Sequence, residues 1–269
     1  MRCFLPLMAL GCASPDPKSG GGEPPSDMLP LPELAAEPVS PSLSASEVGA
    51  QLSAALAVPP HAAEVNAAYR MLLAQGDDIC PGSELHLTDE VLHGCEAASG
   101  YSYAGVSHWF EDPIDGPIEG VATGVAGDFW ITTPSGHLFE AGGHSVEVSG
   151  DGLRVDELAG SWLWEDGPDW LAEGYSGSLT IEHVGEVMLR VNGAATLLGI
   201  SWSAHDLVLA ERCDHGPTGS LGLRDPGGGW YELTFEDCAP CTQVRFGDTD
   251  LGETCVDFAP FVAAIEGRS

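Results

Sequence analysis

The sequence predicts a mainly β protein: an antiparallel meander or sandwich-like body, preceded by a short α-helical hairpin and stabilised by disulfides. Three observations carry this prediction. From about residue 80 onward, apolar and polar residues alternate with a period of two in many short runs. Gly, Pro, Asp and Asn punctuate those runs, as in P-I-D-G-P, S-G-D-G, V-N-G and D-P-G-G-G. Six cysteines, an even number, follow residue 79. With 43% apolar and 19% charged residues, a chain of 269 residues has enough apolar surface to bury a substantial core.

Before residue 80 the pattern is helical, and residues 46–79 are read as a hairpin packing on the β body. Ser46 is placed as the cap of a first helix, Glu47 to Ala57, which Pro59 and Pro60 stop. A second helix runs from about His61 to Gln75, with Gly76 as its stop. Val65, Ala68, Tyr69, Leu72 and Leu73 recur at helical spacing and mark its buried side.

Residues 80–212 form the expected antiparallel body. Phe129 and Ile131 alternate with Asp128 and Thr132; Leu179, Ile181 and His183 alternate with Thr180 and Glu182; Tyr231, Leu233 and Phe235 continue the pattern further on. Such alternation implies one packed face and one wet face. A faint echo relates Tyr103-Ala104-Gly105…Trp109 to Leu158-Ala159-Gly160…Trp164, about 55 residues later; two copies do not make a repeat architecture. A boundary is placed near Cys213, with residues 213–269 as a smaller cysteine-rich β module.

Residues 1–12 read M-R-C-F-L-P-L-M-A-L-G-C, one positive residue and an apolar stretch before small residues and a cysteine. This is the pattern of an export signal, short enough to be consistent with a start upstream of Met1. Ala9-Leu10-Gly11-Cys12 resembles the lipobox of bacterial lipoproteins, departing from the common pattern in having Ala9 where Leu is usual. The resemblance implies cleavage before Cys12 and acylation there, hence a membrane anchor through N-terminal lipid; two or three chains anchor firmly where one is marginal. Residues 13–45 are rich in Pro, Ser, Gly and Glu and are read as a disordered tether. With Ala13 and Ser14 after the cysteine, no Asp stands where enterobacterial lipoproteins carry their inner-membrane retention signal, so the resemblance implies a cell-envelope protein on the outer membrane. One Lys beside eight Arg suggests a GC-rich genome, and the whole is similar in style to exported lipoproteins of myxobacteria and their relatives.

In an exported chain the six cysteines, Cys80, Cys95, Cys213, Cys238, Cys241 and Cys255, read as three disulfides. Cys80 and Cys95 are alone in their half and are paired. Among the other four the pairing is open, except that a hairpin setting Val244 opposite Val256 holds Cys241 and Cys255 too far apart for a bond. Cys238-Ala239-Pro240-Cys241 superficially resembles the C-x-P-C of thioredoxin-like oxidoreductases. The strand-like T-Q-V-R-F that follows, instead of a helix, argues against redox chemistry. A four-cysteine zinc site needs a second C-x-x-C, which is lacking.

Forty-one acids against nine basic residues give a formal charge of −32. Such a surface repels the phosphate backbone and anionic headgroups, so nucleic acid and polybasic membrane contact are excluded. Acidic turns are candidate calcium sites, foremost Glu111, Asp112 and Asp115. His137 and His144 are a conceivable metal pair. No cofactor is implied. Gly100 to Gly105 lacks the second glycine of a serine-hydrolase elbow and reads as strand. Trp162 and Trp164 on one strand face, with Trp130 and Trp230 on the polar side of their alternations, form a candidate platform for a carbohydrate or protein ligand. The expected function is therefore a non-catalytic, lipid-anchored binding or structural module; the alternative is a secreted hydrolase acting on polysaccharide or peptide. Geometry separates them: a hydrolase needs converging ionisable side chains in a cleft, a binding module an exposed aromatic platform.

Overall fold

A computed structural model describes residues 40–86, 88–114, 120–150, 152–184, 188–213 and 216–266, with side chains at all of these except 82–86, 88–93, 114 and 266. Residues 1–12, expected to be an export signal ending at Cys12, residues 13–39 of the expected tether, and Asp115 lie outside the described residues.

Residues 45–73 form the expected hairpin of two helices, α1 (Ala45–Leu56) and α2 (Ala62–Leu73). The first helix begins two residues earlier than expected because Ser44, not Ser46, caps it. The Ser44 hydroxyl accepts from the Glu47 amide while the Glu47 carboxylate accepts from the Ser44 amide, a reciprocal capping box. In α2 the expected stripe is buried at Val65, Ala68, Tyr69 and Leu72, while Leu73 lies at its margin.

Thirteen strands follow: β1 (Gly82–His86), β2 (Thr88–Glu96), β3 (Ser102–Ile114), β4 (Gly120–Thr132), β5 (Leu138–Gly150), β6 (Leu153–Trp164), β7 (Tyr175–Val184), β8 (Met188–Leu197), β9 (Ile200–Ala210), β10 (Pro217–Arg224), β11 (Trp230–Phe235), β12 (Cys241–Phe246) and β13 (Thr249–Cys255). A single turn of helix, α3 (Asp169–Ala172), interrupts the passage from β6 to β7, and α4 (Ala259–Glu266) ends the described chain. Each strand pairs antiparallel with its sequence neighbours, so the strands make one meander. The sheet does not break near Cys213: β9 and β10 pair from Leu209–Pro217 to Trp202–Leu223, and β10 to β13 continue the same sheet, with Leu221, Tyr231, Val244 and Phe261 in the same core as the rest.

The sheet curls around the hairpin, and a row of glycines marks where. Gly127, Gly143, Gly160 and Gly177 are register partners across β4 to β7. Gly160 has φ +99°, and a Cβ there would lie 2.7 Å from the Cα of Gly143 on the next strand. Only glycine allows both the left-handed backbone and that approach, and glycine kinks of this kind bend strands sharply. The 55-residue echo has the same origin: Gly105, like Gly160, sits mid-strand at positive φ.

The concave face packs on α2 against β4 to β6 and on α1 against β9, β12 and β13. Tyr69 lies between Trp109 and Phe129, and Phe129 in turn meets Phe139 and Trp162. Polar links fix the hairpin in register. The Tyr103 hydroxyl donates to the Leu72 carbonyl at 2.9 Å, Asn66 Nδ2 to Thr123 O at 3.2 Å and Trp170 Nε1 to Glu64 at 2.8 Å. Ahead of α1, the Ser42 amide and hydroxyl both donate to Asp225 Oδ2, at 2.9 and 2.7 Å, and the Leu43 amide donates to the Tyr231 hydroxyl.

Three disulfides are formed. Cys80–Cys95 is as expected. The other four pair as Cys213–Cys238 and Cys241–Cys255, which corrects the expectation that the latter two lie too far apart. The β12–β13 turn is at Gly247-Asp248 and a bulge follows at Val244/Arg245, so Cys241 stands directly opposite Cys255. Val256, expected within that pairing, lies past the end of β13 and is buried.

Candidate functional site

The four tryptophans expected to form one platform are separated. Trp162 points into the core at 1% exposure, its Nε1 donating to the Ala159 carbonyl at 3.1 Å, and is no part of a surface. Trp164 is half-buried against Phe139. The period-two argument put Trp162 and Trp164 on one face correctly, but that is the face the helices cover. Trp130 and Trp230 take the outer face, at 46% and 37% exposure, on strands β4 and β11 that are far apart in the sheet order.

Trp230 has a built setting. A tight turn at 226–229 precedes it, closed by the Asp225 amide donating to the Gly229 carbonyl and the Gly228 amide to the Asp225 carbonyl, each at 2.8 Å. From there β11 alternates strictly, Trp230, Glu232 and Thr234 outward and Tyr231, Leu233 and Phe235 inward. The Trp230 indole leans across β10 over Gly222, where a Cβ would meet Trp230 Cε3 at 3.1 Å and Ser203 Oγ at 2.5 Å. Gly222 thus leaves room for both the indole and the Ser203 hydroxyl, and a larger residue presses on both. One groove beside Trp230, of about 320 Å³, is lined by Ser203, His205, Ser220, Glu232 and Thr234. On its other side a second, of about 230 Å³, is lined by Ser176, Ala194, Thr196, Ser201 and Arg224. The Thr196 and Ser201 hydroxyls are 2.7 Å apart and bonded to each other. One Arg, one Glu and one His balance here, in contrast to the acidic surface as a whole. Gly222 and the hydroxyl row were not singled out from sequence, although Ser201, Ser203 and Ser220 stand on the polar side of their alternations.

Comparison with protein-family models, curated proteins and solved structures finds no match to this chain.

The other candidate constellations do not assemble. A larger cleft, about 730 Å³, lies between α4 and the ends of β12 and β13, but among the described residues Asp257 is the one ionisable side chain lining it, and the cysteines there are disulfide-bonded. Cys238 sits in the loop between β11 and β12 and Cys241 opens β12, each bonded to a different cysteine, and a strand follows instead of a helix; the resemblance to an oxidoreductase motif ends there. His137 pairs with Asp166 and His144 with Glu157, so the two histidines share no ligand. Glu111 and Asp112 are exposed neighbours on β3, and among the described residues no three His, Cys, Asp or Glu side chains gather to hold a metal.

One carboxyl group is strongly raised. Asp156, 5% exposed on β6, is raised to about 6 chiefly by burial and further by Glu147, against the pull of Arg154 at 3.3 Å and the Ala63 amide at the start of α2. A pKa near 6 suits a general acid. Yet Asp156 is sealed beneath the helical hairpin and lines none of the three hollows described above.

Proposed function

We propose that this protein is a non-catalytic binding module of the cell envelope, held to the membrane by lipid on Cys12 and presenting the Trp230 face outward to a ligand. The observation that carries the binding role is the half-exposed Trp230 indole beside two grooves that carry Ser and Thr hydroxyls. Of the ionisable groups around it, His205 and Glu232 line one groove and Arg224 the other, and no hydrogen bond or ion pair joins them among the described residues. The lipobox-like Ala9-Leu10-Gly11-Cys12 and the Pro- and Ser-rich stretch after it support the anchored setting. Among the described residues no helix is long and apolar enough to cross a membrane.

Replacing Cys12 tests the anchor. Cys12→Ala should move the protein from the membrane fraction to the soluble fraction of fractionated cells, and unchanged membrane partitioning would sink the anchored reading.

A further inference from the structure

From the chemistry of the Trp230 grooves, and resting on the binding role proposed above, we infer that the ligand is an uncharged glycan chain, stacked on the Trp230 indole with one sugar unit on either side. The lining decides the class. A protein hot spot sets an aromatic residue in an apolar, water-excluding surround. Here hydroxyls stand in both grooves: Ser203, Ser220 and Thr234 in one, and Ser176, Thr196 and Ser201 in the other, where they lie among small apolar residues and Trp202. A sugar ring matches both halves of that surface, since its C–H face packs on an indole while its equatorial hydroxyls exchange hydrogen bonds with Ser, Thr, Glu and Arg side chains.

Size argues for a chain over a compact metabolite. At about 320 and 230 Å³ the grooves fall at or below the lower end of small-molecule sites, which run from roughly 300 to 1,000 Å³. Each suits a single ring, and the indole between them suits a linear polymer passing from one to the other. Charge argues for a neutral chain. Arg224 and His205 offset Glu232 at the grooves, but the chain as a whole carries −32, so a uronate or sulfated polymer is repelled before it arrives.

The experiment is calorimetric titration of the full-length protein with cellohexaose, chitohexaose and maltohexaose, with polygalacturonate as the polyanion, alongside Trp230→Ala, Gly222→Val and Trp130→Ala. At least one neutral hexasaccharide should bind, and Trp230→Ala should weaken it by about tenfold or more, the effect of losing a central aromatic contact. Gly222→Val, which keeps the indole but presses on it, should weaken binding several-fold; Trp130→Ala should leave it unchanged. Melting curves matching the parent show that the variants are folded. Failure of all three neutral sugars at millimolar concentration overturns the inference, as does binding that Trp230→Ala leaves intact, or tighter binding of polygalacturonate. The sugar result and the Cys12→Ala fractionation are independent. If no sugar binds while Cys12→Ala is released, the glycan falls and the anchored module stands; if Cys12→Ala stays on the membrane, the anchor falls whatever the sugars do.

Discussion

Two buried aspartates respond to acid in opposite directions. Asp225 is 2% exposed, and burial opposes its ionisation. Even so, donors from Ser42, Tyr231 and the Gly227 amide hold its carboxyl well below the usual carboxylate range. Its stabilising effect is complete above about pH 4 and is lost as pH falls below that. Asp156 behaves the other way. Its carboxyl titrates near 3.8 in the unfolded chain and at about 6 in the fold, so between those values the folded state holds a proton that the unfolded state has released. Stability from this group is therefore present below about pH 4 and lost as pH rises through 6, a change of about 2–3 kcal/mol for a shift of two units. Asp156→Asn keeps an acceptor for the Ala63 amide without the charge. It should melt higher than the parent at pH 8 and together with it near pH 4, as followed by circular dichroism; equal melting at pH 8 would show that Asp156 imposes no such penalty. Neither aspartate was legible in the sequence, because the period-two pattern assigns a face but not what covers it. Asp156 follows Val155 and precedes Glu157, both on the outer face, and nothing local says that the Asp faces the helices. The same blindness placed buried Trp162 on a platform and, by reading outward faces correctly, found Trp230.

At the level of elements, alternation, turn residues and the Pro59-Pro60 break were enough to locate most strands and both helices. What was missed was register. The capping box Ser44-x-x-Glu47 was readable and fixes the start of α1 better than Ser46 does. The β12–β13 hairpin was centred about two residues too late because a Val–Val pairing was assumed, whereas the Gly247-Asp248 turn and the bulge beside it bring Cys241 and Cys255 together. The glycine row was also in plain view: Gly127, Gly143, Gly160, Gly177 and Gly193 recur at intervals of 16 or 17 residues, one strand-and-turn apart. Its meaning appears only when the strands are laid side by side. Gly160→Ala adds a Cβ at φ +99° and 2.7 Å from the neighbouring Cα, so the strand must shift or flatten. The expected cost is about 2–4 kcal/mol, since both backbone strain and a clash are imposed. Urea unfolding would measure it, and a change within about 0.5 kcal/mol, the range of an ordinary surface substitution, would mean that the row is incidental to the curl.

Across the whole molecule, the negative charge is distributed through the folded part and not confined to the leader. From Glu47 onward there are 36 acids and seven arginines. Along the strands the acids fall largely on the outer face, as Glu140, Glu157, Glu182 and Glu232 do, and so serve solvation of a sheet whose other side is core. A charge of −32 repels a phosphate backbone and other polyanions as they approach.

The meander also sets the order in which the chain can assemble. Neighbouring strands are joined by short turns, so the sheet can zip up with little loop entropy at each step, a low-contact-order process. The contacts of α1 and of the residues just before it do not follow that rule. Helix α1, near the start of the described chain, packs on β13 near its end; Gly49 comes so close that a Cβ would lie 2.8 Å from the Cys255 carbonyl oxygen, and Ser53 accepts from the Asp257 amide at 3.0 Å. As the chain is threaded out N-terminus first, the apolar face of α1 emerges about 200 residues before its partner. A chain truncated before Cys241 should therefore keep its early strands but leave Val48 and Leu52 uncovered, and limited proteolysis should cut α1 first. Cleavage elsewhere, with α1 protected, would show that the hairpin docks without waiting for the last strands. In the complete protein the final hairpin is the latch, and the Cys241–Cys255 bond within it holds closed the step on which burial of the first helix depends.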